Sequence, residues 1–227
     1  MIDFHIEVSC LGKGLLPSEA LAFASFSGFN SVGLVIKSDA ISYKYELPLL
    51  INTIQQSLLY TELNVFPGVV FAHVPPELLK DVVCSARELG AQLILAQGEG
   101  SFLGYSLSTA IGTNFAIINS GIDILTCPGL ISSEDAAFAT EKGISIELTG
   151  GYPCNLFNGH IVSMFSLFNF NLTISCGITK KSCFSSPEIT RNFFQGIAFG
   201  AGLDKKSFDY IHCESRKTVQ RLLLSTK

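Results

Sequence analysis

Seven short, almost continuously apolar runs recur along the chain: Ile2–Val8, Ser31–Ile36, Val65–Phe71, Gln92–Ala96, Ile122–Thr126, Ile144–Leu148 and Leu172–Ser175. Few alternate polar with apolar residues, which is the pattern of strands covered on both faces rather than of half-exposed strands. Longer helical patterns separate them. Pro17–Phe26 opens on Pro and stops at Gly28; Leu47–Leu63 is a long apolar-periodic stretch; Pro76–Leu89 ends in Gly90. Thr113–Ser120 ends in Gly121, Ser133–Lys142 in Gly143, and Asn158–Phe168 precedes the last run. Gly just past a helix end supplies the left-handed residue that turns the chain into the next strand. Strands linked by helices pair in parallel, because parallel neighbours need a crossover of a dozen or so residues.

Such a sheet is open and doubly wound or closed as a barrel. No G-x-G-x-x-G follows the first run, and Gly98 and Gly100 flank Glu99, whose charge would repel a phosphate, so the dinucleotide-binding alternative loses support. After the seventh run, Pro187–Phe199, Lys205–Cys213 and Ser215–Leu224 read as C-terminal helices packed on the rest. No repeat or low-complexity linker divides the 227 residues, and we expect one domain over 1–227.

Composition narrows the function classes. Only 15% of residues are charged while 48% are hydrophobic, so the chain can bury enough surface to fold and is not disordered. A formal net charge of −4 argues against nucleic-acid binding through a basic patch. Residues 148–179 lack Asp, Glu, Lys and Arg, but Gly150, Gly151, Pro153 and several Asn interrupt them, so no membrane span is expected. The start lacks a basic leader, and the expected location is the cytoplasm. The seven cysteines, at positions 10, 84, 127, 154, 176, 183 and 213, form no C-x-x-C, and free thiols behaving as small hydrophobes are the expectation.

In a parallel barrel, chemistry sits at the C-terminal strand ends. The residues there are His5 and Glu7 with Cys10, then Lys37 and Asp39, Val70 and His73, and Gln97 and Glu99. Cys127 follows the fifth run, Gly151 and Cys154 the sixth, and Cys176, Gly177 and Thr179 the seventh.

Taken in order, these segments resemble the PHP (polymerase and histidinol phosphatase) superfamily. The resemblance rests on Asp3-Phe4-His5-Ile6-Glu7 with Gly14-Leu15-Leu16-Pro17-Ser18-Glu19, on Val65-Phe66-Pro67-Gly68-Val69-Val70 with His73-Val74-Pro75-Pro76, on Gln97-Gly98-Glu99 and on Cys127-Pro128-Gly129. Asn158-Gly159-His160 and Gly200-Ala201-Gly202-Leu203 extend it to nearly the whole chain. It implies a distorted seven-unit (β/α) TIM-like barrel with parallel strands. It also implies a phosphoesterase in which two or three divalent metals, held by His, Asp and Glu, bind phosphate and generate hydroxide.

The chain departs from that pattern at most ligand positions. His5 stays, but Glu7 stands for the second histidine and Ile36 and Lys37 for the aspartate and histidine after the second strand. Val70 replaces the glutamate of P-G-x-E, Gln97 and Cys127 replace histidines, and Gly177 and Thr179 stand for the final D-x-H. Lys37 would place a cation where a cation must bind, so no cofactor is expected. The alternative is Zn, Mn or Fe at a reduced site made by His5, Glu7 and Cys127.

His5 and Glu7, two apart on a strand, share a face, and the expectation is an internal polar pair with Lys37 neutralising Glu7. No catalytic residue stands out; His5, Glu7 and Glu99 are the candidates. Lys37, Gln97, Glu99, Asn114 and His160 are the candidate ligand-binding residues, while His73 and His212 read as structural. Phe193, Phe194, Ile197 and Phe199, with Phe165, Phe168 and Phe170, exceed one narrow helical stripe, which suggests a homo-oligomer or a protein partner. The sequence thus points to a barrel that has lost its enzyme chemistry and acts through binding, or else to a phosphatase with a reduced metal site.

Overall fold

The fold is taken from a computed structural model that describes residues 1–12, 14–102, 111–177 and 186–224. Thr179 and Cys183 lie outside the described residues. Fifteen strands and helices alternate as the sequence pattern requires: β1 (Ile2–Val8), α1 (Pro17–Phe26), β2 (Ser31–Ser38), α2 (Tyr43–Ser57), β3 (Asn64–Phe71), α3 (Leu79–Glu88), β4 (Leu93–Gln97), α4 (Thr113–Ile118), β5 (Ile124–Thr126), α5 (Ser133–Lys142), β6 (Ser145–Thr149), α6 (Asn158–Phe168), β7 (Asn171–Ser175), α7 (Pro187–Gly200) and α8 (Lys205–Leu224). The strands form one parallel sheet in the order β1-β2-β3-β4-β5-β6-β7, curled as a TIM-like barrel with the last two helices added to it.

The helix stops work as expected. Gly28, Gly90, Gly121 and Gly143 all have positive φ, and Asn169 (φ 54°) does the same after α6. Ser132 caps α5 by accepting from the Asp135 amide, which fixes its start as Gly143 fixes its end. Several bounds change, among them that of the helix expected over 76–89, which opens as a 3-10 turn at Pro76–Leu78. The apolar stretch predicted as a helix over 47–63 is helical from Tyr43 to Ser57 and then tightens into a 3-10 turn at Leu58–Tyr60. The two helices expected at 205–213 and 215–224 are one, because Ser215 is buried within α8 and does not interrupt it.

The pleat sorts side chains into two cores. Val32, Leu34 and Ile36 of β2, Val69 and Phe71 of β3, and Ile146 and Leu148 of β6 pack outward against the helices. Inside the curl, Phe4, Val35, Phe66, Val70, Leu93, Leu95 and Ile124 form a second cluster, closed by Val219 and Leu222 of α8. Phe194 and Phe170 join the outer core, whereas Phe193 and Phe199 are exposed.

The seam between β1 and β7 carries a carboxylate. Asp3, fully buried, accepts from the His5 amide at 2.9 Å through Oδ1 and from the Cys176 amide at 2.9 Å through Oδ2. These bonds stand where a barrel would otherwise have ladder hydrogen bonds, beside the irregular β1–β2 register between Asp3 and Ile6. Burial pushes the Asp3 carboxyl up to about 6, against the pull of the two amides and of the His5 charge.

Candidate functional site

The inner face of the sheet is divided. Opposite the apolar cluster, β1, β6 and β7 present His5, Glu7, Glu147, Thr149, Thr173 and Ser175 toward the interior, following the two-residue period. Glu147 lies opposite Thr173 and Thr149 opposite Ser175 in the β6–β7 register. The Ser175 hydroxyl donates to Thr149 Oγ1 at 3.3 Å, and those two oxygens accept from the Gly177 and Gly151 amides.

At the centre, His5 Nδ1 donates to Glu147 Oε1 at 2.7 Å, with both residues buried. His5 Nε2 lies 3.4 Å from Glu7 Oε1, close enough for charge attraction, but it is buried and its geometry makes no hydrogen bond. The imidazole therefore stands between two carboxylates. Burial works against its charged form, yet the Glu147 charge and hydrogen bond, with Glu7 adding to them, hold His5 well above its ordinary value. Burial likewise works against Glu7, and is outweighed by the His5 contact and charge and then by Lys37.

The cation that compensates Glu7 at close range is thus His5 and not Lys37. Lys37 is exposed two residues beyond Val35, acts on Glu7 only through space, and forms no ion pair with it. This corrects the expected Lys37–Glu7 pair: the nearer histidine already balances the carboxylate. Sequence reasoning missed Glu147. Its signal was a single carboxylate inside an apolar strand, Ile144–Leu148, where an unpaired charge would be very costly.

Cys127 and Cys154, on the loops after β5 and β6, form a disulfide with Cα atoms 5.0 Å apart. This corrects the expectation of free thiols throughout, and it removes Cys127 as a thiolate ligand in this state. Adjacent parallel strands bring their following loops together, which residue spacing alone does not reveal. Among the described residues Cys10, Cys84, Cys176 and Cys213 form no disulfide.

Gln97, Glu99 and Asn114 come together at the ends of β4 and β5. Asn114 is 1% exposed; its Oδ1 accepts from the Glu99 amide, and its Nδ2 donates to the Pro128 carbonyl at 2.9 Å. Glu99 Oε1 accepts from the Gly112 and Asn114 amides. Gly98 allows this packing, since a Cβ there would clash with Asn114 Oδ1. His160 Nε2, on α6, donates to the Ile131 carbonyl at 2.9 Å. Asn114, Glu99 and His160 thus tie loops together, while the side chains of Lys37 and Gln97 make no hydrogen bond among the described residues.

The donor set does not fit a two- or three-metal centre. Cys127 is oxidised, and Val70, Gln97 and Gly177 offer no imidazole or carboxylate, which leaves His5 Nε2 and Glu7 alone of the expected donors at the strand ends. Among the described residues no group of three or more His, Cys, Asp or Glu is arranged to hold a metal ion. In the same residues no helix is long and apolar enough to cross a membrane.

No family model matches the chain. It is 26% identical over 212 residues to MJ1295, an uncharacterized protein of Methanocaldococcus jannaschii, covering 91% of this chain and 92% of the other. Among solved structures it is similar to the histidinol phosphate phosphatase HisK of Lactococcus lactis, solved with Zn, L-histidinol and phosphate. That match has a TM-score of 0.60 and 10% identity, and covers 89% of this chain and 94% of the phosphatase. An amidohydrolase matches with a TM-score of 0.53 and 11% identity over 88% of this chain and 70% of its own. The Arabidopsis N6-mAMP deaminase MAPDA gives 0.51 and 13% over 85% and 58%. The fold is therefore the α/β barrel shared with histidinol phosphatase and amidohydrolases.

Proposed function

We propose that this chain is a PHP-like barrel that has exchanged metal-dependent hydrolysis for binding. The observation that carries this reading is the His5–Glu147 contact of 2.7 Å with Glu7 on the other side of the ring. The two carboxylates favour the charged form of the ring, and in that form an imidazole has no lone pair to give a metal. The pair fills the strand ends with its own cation and anions, which favours an inherited fold over an inherited reaction.

Two surfaces are available for binding. The strand-end mouth offers Lys37 and Gln97, whose side chains are uncommitted, whereas Glu99, Asn114 and His160 serve the loops first. The exposed Phe193 and Phe199 of α7 offer an apolar face to a second copy or another protein.

The test is a phosphomonoester hydrolysis assay on the purified chain with Mn, Zn or Fe added. The expected result is turnover no faster than the protein-free control. Turnover that His5→Ala and Glu7→Ala each abolish would overturn the reading in favour of a phosphatase with a reduced site.

A further inference from the structure

The charge of this chain is segregated. Residues 186–227 contain seven Lys or Arg against four Asp or Glu, a local +3, whereas residues 1–185 carry eight against fifteen, −7. Part of that positive charge converges on one cleft. A cavity of about 510 Å³ lies between α7, α8 and the start of β1, at the end of the barrel opposite the mouth, lined by Arg191, Gln195, His212 and Arg216 over Phe194 and Phe208.

The donors in this cleft are uncommitted. Arg191, Gln195, His212 and Arg216 make no hydrogen bond or ion pair from their side chains among the described residues. Asp209, the carboxylate in the lining, faces Lys205 at 3.8 Å, and the neighbouring Glu214 pairs with Lys217 at 2.7 Å. The His212 ring is fixed edge-on against Phe208, with centroids 4.6 Å apart. Burial, the Met1 amino group and Arg216 hold His212 below its ordinary value, against Asp209, so its ring can serve as a neutral hydrogen-bonding group. Arg191, Arg216 and the Met1 amino group thus face one cavity against the single carboxylate of Asp209, an excess of positive charge that gains from a ligand bringing an anion.

We propose that this cleft binds a small phosphorylated organic molecule, its phosphate held by Arg191 and Arg216 and its organic part lying over Phe194 and Phe208. Two guanidinium forks match a dianion bidentately and suit phosphate geometry. The volume exceeds what a bare phosphate fills and lies within the range of small-molecule sites, roughly 300–1,000 Å³. Gln195 and His212 supply neutral hydrogen bonds to the ester oxygen or the organic part. The inference does not rest on the reading of the mouth, from which the cleft is separated by the length of the barrel.

The test is titration calorimetry of the whole chain with phenyl phosphate, inorganic phosphate and benzoate at low salt. We expect phenyl phosphate to bind more tightly than either of the others. Arg191→Ala and Arg216→Ala, both exposed and so not needed for folding, should each weaken it about tenfold or more. Binding should survive His5→Gln, which alters only the mouth. Absence of phenyl phosphate binding, binding indifferent to both arginine substitutions, or equal affinity for benzoate would overturn the proposal. A thermal melt of each variant, expected within about 2 °C of the parent, separates lost binding from lost folding.

Discussion

His5 on β1 and Glu147 on β6 meet at 2.7 Å inside the barrel, although 142 residues separate them. Each is buried, so neither charge is tolerable without the other. Glu147→Ala should therefore destabilise the chain by about 3–5 kcal/mol in urea unfolding. The double variant His5→Leu with Glu147→Leu should recover part of that loss, because Glu7 alone then lacks its close cation. Additive losses in the double variant would show that the contact is not a coupled pair.

The buried ionisable groups set a pH profile. His5 is held above its unfolded value near 6.5, so its contribution is complete below that pH and is lost as pH rises through the folded value. Asp3, raised from 3.8 to about 6, adds a penalty that grows between those two values and is full above them. Glu7 is lowered, so its contribution holds above 4.5 and is lost on acidification through its folded value. Urea midpoints should then be higher near pH 5 than near pH 8. The Asp3 share of the change should vanish in Asp3→Asn, a variant that is itself weaker by about 1–3 kcal/mol because one amide loses its acceptor.

The barrel order was legible because continuous apolar runs admit few arrangements. The predicted bounds of α1, α5 and α6 match those observed, since Pro17, Gly28, Ser132, Gly143 and Asn169 mark their ends locally. The site was legible only on β1, where His5 and Glu7 are neighbours in sequence. Glu147 was hidden because its partner is chosen by barrel curvature, and Lys37 was overvalued because sequence gives its strand but not its reach. The Cys127–Cys154 bond was hidden because it joins the loops after β5 and β6, which only the parallel pairing of those strands brings together.

That disulfide predicts a thiol count. Denatured, unreduced protein should show two fewer titratable thiols than reduced protein. Its loop spans a sequence separation of 27, which in the chain-entropy model corresponds to about 3.5 kcal/mol of stability lost in Cys127→Ser under oxidising conditions. Equal thiol counts before and after reduction would refute the bond.

Asn114→Ala tests the loop junction. It leaves the Glu99 amide and the Pro128 carbonyl without partners in a buried place, and should lower stability by about 2–3 kcal/mol in the same unfolding assay. A stability change under about 0.5 kcal/mol would free Asn114 from this structural role.

The central claim is that an internal ion pair occupies the place of the metal ligands. Elemental analysis of protein purified without chelator and dialysed against Zn, Mn and Fe tests it most directly. The account predicts well under one metal ion per chain and no change on His5→Gln. One or more tightly bound ions per chain, lost on His5→Gln, would contradict it.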